Sequence, residues 1–263
     1  MQTSGKVAVV TGGARGIGKR IVEVLVEKGA KVVIGDVLEQ GEQVAEKLND
    51  KMGDKVAVFH TCNVRNLDEI AELQNRAITE FGAMDIVVNN AGIGGSYLWI
   101  DENFESISKT IDINLKAPIE GTRLAVKSFY KANHLGCVIN ISSILGIRYS
   151  ELTAVYGATK AGIIAFTASA APLAQGTPPV RVNSVAPVHI ETNMTSNEVP
   201  ESIDKHLRSF GVNTVDGVAS EVIRCIEDET LAGDTVVMNS NSNGSVREGP
   251  KAESCGFIEY IKA

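Results

Sequence analysis

Cysteine is sparse in this chain and never paired. The four residues, Cys62, Cys137, Cys225 and Cys255, are scattered, with no CxxC pair and no histidine nearby at metal-ligand spacing. That pattern argues against a disulfide scaffold and against a zinc site, so no metal is expected. Basic charge is in deficit: Lys plus Arg number 25 against 32 Asp plus Glu, a formal net charge of −7. Such a surface does not suit nucleic acid or an anionic membrane, which leaves small molecules and other proteins as partners. No apolar run is long enough to cross a bilayer, and the opening residues MQTSG are too short and polar for a signal peptide. The closing Ile261-Lys262-Ala263 is not a peroxisomal address of the Ser-Lys-Leu type. The expected compartment is the cytoplasm. Linkers, internal repeats and composition shifts are missing as well, so the 263 residues read as one domain.

What is present is a well-supplied core, with 44% hydrophobic and 22% charged residues. Short β-branched runs recur at Lys6–Thr11, Lys31–Asp36, Lys55–Thr61, Asp85–Asn89, Cys137–Ser142, Val180–Val185 and Thr235–Met238. Continuous apolar runs of this length suit strands covered on both faces, as in a parallel sheet. Amphipathic stretches near 17–28, 39–51, 66–81, 103–131, 156–172 and 214–228 alternate with them. Regular strand–helix alternation predicts an α/β doubly wound fold, a seven-stranded parallel sheet with helices on both faces. Residues 187–213 are long for a connection and read as a lid or substrate loop. The polar stretch 239–245 (NSNSNGS) reads as mobile, and 239–263 as a C-terminal tail whose last residues regain apolar character.

Three stretches carry chemistry. The first strand runs straight into TGGARGIG, Thr11 to Gly18, and then a helix. Glycines there permit a tight turn and close backbone approach, and the helix amino terminus offers N–H groups to a pyrophosphate. Gly12, Gly16 and Gly18 are spaced one residue off the common GxGxxG form, and Asp36 closes the second strand where a carboxylate can accept adenosine ribose hydroxyls. Tyr156 and Lys160 lie one helical turn apart and can face the same way. Asn89-Asn90-Ala91-Gly92 follows the fourth strand.

With these motifs the chain resembles the short-chain dehydrogenase/reductase family from residue 5 to about 238. The match takes in the Gly12–Gly18 turn, the NNAG motif, the Tyr156–Lys160 pair, Ser143 thirteen residues before Tyr156, and Asn114 in DINL. Within the family it is most similar to the NAD-dependent 15-hydroxyprostaglandin dehydrogenase branch, through GKVAVVTGGARGIG, GIIAFTASAA and IEDETLAG. The resemblance implies a Rossmann-type catalytic domain over 1–238 with NAD as cofactor. It implies cofactor contacts from Gly12, Arg15, Gly16, Ile17, Gly18, Asp36, Val37, Asn63, Val64, Asn90, Ala91, Gly92, Tyr156, Lys160, Pro187, Ile190 and Thr192. It assigns catalysis to Asn114, Ser143, Tyr156 and Lys160. Tyr156 would act as general acid/base, its phenolate favoured by the Lys160 cation, because a free tyrosine near 10 is too weakly acidic. Ser143 would bond the substrate oxygen, and Asn114 would hold a water linking Lys160 to solvent. A homodimer or homotetramer is implied too, through the helices near 103–131 and 156–172, with Ile163, Ile164, Phe166 and Ala168 as apolar surplus.

The function so implied is interconversion of a secondary alcohol and a ketone, with a hydroxy-fatty-acid or prostaglandin-type alcohol as one candidate substrate. The rivals are a carbonyl reductase of a sugar, steroid or xenobiotic, and a cofactor-sensing protein with weak turnover. Departures from the family pattern bear on both. Asn63-Val64 stands where Asp-Val is common, which predicts weaker adenine contact, and Pro187-Val188 replaces Pro-Gly beside the nicotinamide. Pro172 predicts a kink or early stop in the helix after Tyr156. His60 falls in a strand and His134 in a turn, while His189 and His206 flank the lid and read as polar lid residues, with substrate contact as the alternative. Trp99 and Tyr149 are candidates for the pocket wall, and Met194 for lid packing.

Overall fold

The computed structural model describes residues 1–95, 104–190, 201–238 and 245–247. The strands are β1 (Val7–Thr11), β2 (Lys31–Asp36), β3 (Ala57–Thr61), β4 (Ile86–Asn89), β5 (Gly136–Ile141), β6 (Val180–Ala186), β7 (His189–Ile190), β8 (Val212–Asn213), β9 (Thr235–Val237) and β10 (Ser245–Arg247). The helices are α1 (Gly16–Glu27), α2 (Gln40–Met52), α3 (Leu67–Phe81), α4 (Phe104–Ile111), α5 (Ala117–Lys131), α6 (Ala154–Ser169), α7 (Glu201–Arg208) and α8 (Val215–Glu227). Among the described residues the main sheet runs β10-β9-β6-β5-β4-β1-β2-β3. All of its pairings are parallel except β10 on β9. The seven parallel strands are therefore the seven runs read from the sequence. The antiparallel edge strand Ser245–Arg247 lies beyond them and corrects the reading of that part of the chain as tail alone.

Strands β1, β4, β5 and β6 are buried along their whole length, which is why their sequences are apolar without alternation. Successive side chains still go to opposite faces. Ala8 and Val10 join the core under α1, α2 and α8, with Leu25, Val44 and Val222. Val7 and Val9 join the core under α3 and α5, with Leu73, Ala77 and Phe129. Strand order reverses between β1 and β4, and in open α/β sheets the crevice at the carboxyl ends of such strands is where ligands bind.

Two helices depart from the sequence reading. The long stretch 103–131 is not one α-helix, because a π-helical segment, Asp112–Lys116, separates α4 from α5. Pro118 contributes to the break, since it has no N–H to give the carbonyl four residues back, that of Asn114. Helix α6 stops at Ser169 and passes into a 3₁₀ turn, Ala171–Gln175, that contains Pro172, the early stop its proline predicts. Ile163 and Ala168 are buried within the chain itself, so they are not surplus for an interface. At the other end of the strands from the crevice, His134 Nε2 lies 2.6 Å from Asp85 Oδ1, and Asp85 also accepts from the Val7 N–H at 2.9 Å.

Arg181 on β6 fastens α8 to the sheet. Its guanidinium donates to the carbonyls of Cys225 (2.8 Å), Ile226 (2.5 Å), Asp228 (3.0 Å) and Leu231 (3.2 Å). A cation at the carboxyl end of a helix meets the negative end of its dipole, and here it also satisfies carbonyls that have no helical donor. Arg181→Met should cost at least about 2 kcal/mol in urea unfolding, because buried acceptors lose a charged donor. Arg181→Lys should restore only part of that, since one ammonium cannot span the same fork of acceptors. Equal unfolding midpoints for wild type and Arg181→Met would contradict this role.

Candidate active site

The glycine turn is shaped by contact distances. Gly12 and Gly16 have φ of +68° and +55°, the left-handed region where a side chain is strained. A Cβ on Gly18 would lie 2.0 Å from the Gly12 carbonyl oxygen, and one on Gly12 would lie 2.9 Å from Ala91 Cα. The turn is thus pressed onto the segment after β4. Asn90 braces it: its amide donates to the Thr11 carbonyl (2.9 Å) and the Gly12 carbonyl (3.0 Å). Thr11 Oγ1 accepts in return from the N–H groups of Asn90 (3.1 Å) and Ala91 (3.2 Å). Arg15 caps α1 with no side-chain hydrogen bond, and the first turn holds no acid, so the N–H groups of Gly16, Ile17 and Gly18 head a helix start suited to an anion.

Asp36 is buried at the end of β2, with one carboxylate oxygen accepting from Ala14 N–H (3.0 Å) and the other from Leu38 N–H (3.1 Å). It ties β2 to the glycine turn while each oxygen keeps further acceptor capacity. Val37 beside it is 58% exposed. Asn63 Oδ1 accepts from Arg65 N–H at 3.2 Å, and the Asn63 N–H goes to Glu69 at 2.7 Å. Val64 is buried against the α3 side of the core. Glu69 also accepts from Asn66 at 2.9 Å, so this one carboxylate organises the Asn63–Asn66 loop. Sequence reasoning missed Glu69, although a glutamate three residues after an asparagine at a helix start is a recognisable capping pattern.

The catalytic candidates converge across β5 and α6. Ser143 Oγ accepts from Leu145 N–H at 3.2 Å and stands close enough to Tyr156 to favour its phenolate. Lys160 is buried, and its ammonium donates to the Ile141 carbonyl at 2.8 Å and lies 5.6 Å from the centre of the Tyr156 ring. Asn114 is buried on the π segment, its amide spent on both backbone groups of Ile93, at 2.9 Å from the N–H and 2.8 Å from the carbonyl. A Cβ on Gly92 would sit 3.3 Å from Asn114 Oδ1 and 3.7 Å from Lys160 Nζ, so these three residues meet at one place.

Burial pushes the Tyr156 phenol up from its ordinary value, opposed by the hydrogen bond to Ser143. Burial also pushes the Lys160 ammonium down, to about 8. The sequence reading has the cation lowering the phenol. In this structure desolvation is the larger influence, and the ammonium is directed at the Ile141 carbonyl.

A tight seam holds the set in register. A Cβ on Gly146 would fall 2.7 Å from the Lys160 carbonyl carbon, and one on Gly157 would fall 3.0 Å from the Leu145 carbonyl oxygen. Ser142 Oγ donates to the Lys160 carbonyl at 2.9 Å. Behind the seam, Asn89 donates to Asn140 (2.9 Å) and Thr122 (3.2 Å), and Asn140 donates to Thr167 (3.3 Å), linking β4, β5, α5 and α6 through buried amides and hydroxyls. None of Ser142, Asn140, Thr122 and Thr167 is marked by local sequence pattern.

The remaining candidates divide. The Pro187 carbonyl accepts from Ile144 N–H at 2.8 Å, which ties the end of β6 to the residue after Ser143. Val188 packs with Ile144, Leu145, Tyr156, Phe210 and Val237, which gives its side chain a defined place in the wall beside Tyr156. Ile190 is buried in the core. His189 is buried on β7, with Nε2 3.4 Å from Asp204 Oδ1 on α7, while His206 is exposed and meets the Phe210 ring edge-on. Tyr149 is 91% exposed, in the stretch between two 3₁₀ turns, Ile144–Gly146 and Glu151–Thr153, and does not wall the cleft. Thr192, Trp99 and Met194 lie outside the described residues.

The seam makes a direct prediction. Gly146→Ala should destabilise by about 1–3 kcal/mol, since the clash is with backbone that cannot swing away. It should also reduce turnover by displacing Lys160 and Tyr156 from Ser143. An unchanged melting curve with unchanged turnover would rule the seam out as a determinant.

Comparison with known proteins bears on the same residues. The family model described as short chain dehydrogenase matches residues 6–202. A short chain dehydrogenase, helC, of Aspergillus fumigatus is 32% identical over 258 residues, covering 92% of this chain and 98% of its own. The 15-hydroxyprostaglandin dehydrogenase [NAD(+)] of Homo sapiens is 33% identical over 248 residues, covering 89% and 90%. The 3-oxoacyl-[acyl-carrier-protein] reductase FabG of Chlamydia muridarum is 39% identical over 191 residues, covering 72% and 76%. A glycine turn pressed onto NNAG, and a serine, tyrosine and lysine gathered over one seam, therefore sit in a chain that belongs to the short-chain dehydrogenase family of NAD(P)-dependent oxidoreductases acting on CH–OH groups.

Proposed function

We propose that the protein is an NAD-preferring dehydrogenase of secondary alcohols, with Tyr156 as general acid/base. The observation that carries this reading is that Ser143 stands close enough to Tyr156 to favour its phenolate, with the ammonium of a buried Lys160 5.6 Å from the centre of the Tyr156 ring. The dinucleotide would be held by the Gly12–Gly18 turn, Asp36, the Asn63–Val64 step, the Asn90–Gly92 segment and Pro187, with Lys160 at the nicotinamide ribose. The turn suits such a group, because the helix start at Gly16–Gly18 carries no acid and no side-chain cap, which leaves its N–H groups for an anion. When bound, a nicotinamide dinucleotide supplies the hydride acceptor or donor.

The chain's own residues handle the proton. Ser143 accepts from Leu145 N–H, which leaves its O–H to donate toward the oxygen of Tyr156 or of a substrate. Tyr156 takes the hydroxyl proton during oxidation and returns it during reduction. Lys160, held near 8 by burial, can relay a proton at neutral to mildly alkaline pH. Its route to solvent would run by a water at the Asn114 carbonyl, which Pro118 leaves without its α-helical donor. Val188 and Leu145 supply an apolar wall beside Tyr156, which suits a substrate with a hydrocarbon body, such as a hydroxy-fatty-acid or prostaglandin-type alcohol. The names of the prostaglandin-dehydrogenase relatives favour the same class. The 3-oxoacyl reductase relatives favour a second reading, reduction of an acyl ketone by the same residues.

The test follows nicotinamide absorbance while the protein meets a panel of secondary alcohols with NAD, and ketones with NADH. Turnover of aliphatic members is expected, and Tyr156→Phe should lower it at least about 10²-fold while cofactor binding persists. Full turnover in that variant would sink the mechanism. For the cofactor, the buried carboxylate of Asp36 would repel a 2′-phosphate. Asp36→Ala with Val37→Arg should shift the ratio of kcat/KM values toward NADP. The ratio is the right readout, because losing the Ala14 anchor affects both cofactors alike. A wild type that prefers NADP would reverse the assignment of Asp36.

A further inference from the structure

Glu69, in the first turn of α3, is used in a way that helix capping does not explain. In a capping box the acid at the third helical position accepts from the N–H of the cap residue. The cap residue here is Asn66, and its N–H goes instead to the Asn63 carbonyl at 2.8 Å. Glu69 reaches past the helix, one oxygen accepting from Asn63 N–H at 2.7 Å and the other from Asn66 Nδ2 at 2.9 Å. Its carboxylate therefore fastens the chain as it leaves β3, ahead of the cap itself.

That stretch lies at the crevice end of the sheet, against Asp36. Asp36 is paired with Thr61 in the β2–β3 register, and Cys62 N–H donates to the Asp36 carbonyl at 2.9 Å. Burial pushes the Cys62 thiol up to about 12, with the charges of Glu69 and Asp36 adding to it, so both carboxylates act on this one residue. Asn63 is exposed, with its Oδ1 accepting from Arg65 N–H at 3.2 Å, while the Val64 side chain is anchored in the core. Among the described residues the Val64 N–H has no hydrogen-bond partner. An unpaired backbone N–H is uncommon in a folded protein, and here it stands where the chain turns at the crevice.

We propose that Glu69 is a positioning residue for the dinucleotide: it fixes the Asn63–Asn66 turn so that the Val64 N–H, beside Asp36, meets an acceptor on the base of the adenosine half. This rests on the cofactor reading above and adds to it a residue that touches no cofactor atom. Charge and position act in opposite senses here. Removing a carboxylate beside an anionic dinucleotide would by itself tighten binding. Releasing the turn would weaken it, since a binding group is only as well placed as the bonds behind it.

The experiment titrates NAD, and ADP-ribose, which lacks the nicotinamide, into wild type, Glu69→Met and Glu69→Gln by calorimetry, with melting curves of all three. Glu69 is half-buried, and methionine and glutamine are good helix formers of similar length, so both variants should fold. Glu69→Met should raise Kd for both ligands about tenfold, the worth of a hydrogen bond to a charged group. Glu69→Gln keeps an oxygen for the Asn63 N–H and should stay within about threefold of wild type. Equal or tighter binding in Glu69→Met overturns the proposal, because charge would then outweigh position. So does a Glu69→Gln as weak as Glu69→Met, or a loss for NAD that ADP-ribose does not share. A lower melting temperature with unchanged Kd would make the carboxylate structural and overturn it too. Absence of NAD binding to wild type would instead refute the cofactor reading, so the two failures are distinct.

Discussion

The site depends on how closely α6 lies against the end of β5. Gly146 and Gly157 bring backbone to backbone on either side of the contact, and Ser142 bonds the Lys160 carbonyl across it. Only at that separation can Ser143, from the strand end, meet Tyr156, from the first turn of a helix. The same closeness buries Lys160 and turns its ammonium to the Ile141 carbonyl. A side chain of any size at Gly146 would part the two elements, and Ser143 and Tyr156 with them. On the proposed function, the glycines of this seam matter to the chemistry as much as those of the Gly12–Gly18 turn.

The rest of the fold makes that contact rigid. Buried amides and hydroxyls of Asn89, Asn140, Thr122 and Thr167 link two strands to two helices behind it. Such a network has few alternative arrangements, since breaking any one bond leaves a buried polar group unpaired. On the cofactor side, Thr11 and Asn90 hold the glycine turn against the segment after β4, and Asp36 holds it to β2. Two rigid halves thus face each other across the crevice where strand order reverses. Lys160, Asn114 and Gly92 meet where the halves join.

Much of this was legible in the residues because it is local. Seven β-branched runs are the seven parallel strands, since strands covered on both faces need no alternation. Pro172 marks the end of α6 because a proline cannot continue a helix. Asp36 and the glycine turn are local too, and they fall where the spacing puts them. What was not legible depends on long-range geometry. The Asn89–Asn140 bond spans 51 positions, and nothing at either residue announces the other. The π segment at Asn114 reads as continuous helix until Pro118 is weighed against the carbonyl four residues before it. Tyr149 looks like a pocket residue by position, but it is turned out to solvent, which its place between Ser143 and Tyr156 does not report. The shift of the Tyr156 phenol depends on burial, which a Tyr-x-x-x-Lys spacing does not report.

The central claim is that Tyr156 moves the proton, and that the seam puts it where it can. The most direct measurement is the pH dependence of kcat/KM for alcohol oxidation, taken with a carbinol-deuterated substrate so that the chemical step is the one observed. A base must lose its own proton before it can accept another, so the rate should rise with pH through an ionisation that belongs to the Tyr156–Lys160 pair. That rise should be absent from the residual activity of Tyr156→Phe and displaced in Lys160→Met. A Tyr156→Phe profile with the same rise as wild type would contradict the account, because the titrating base would then lie elsewhere.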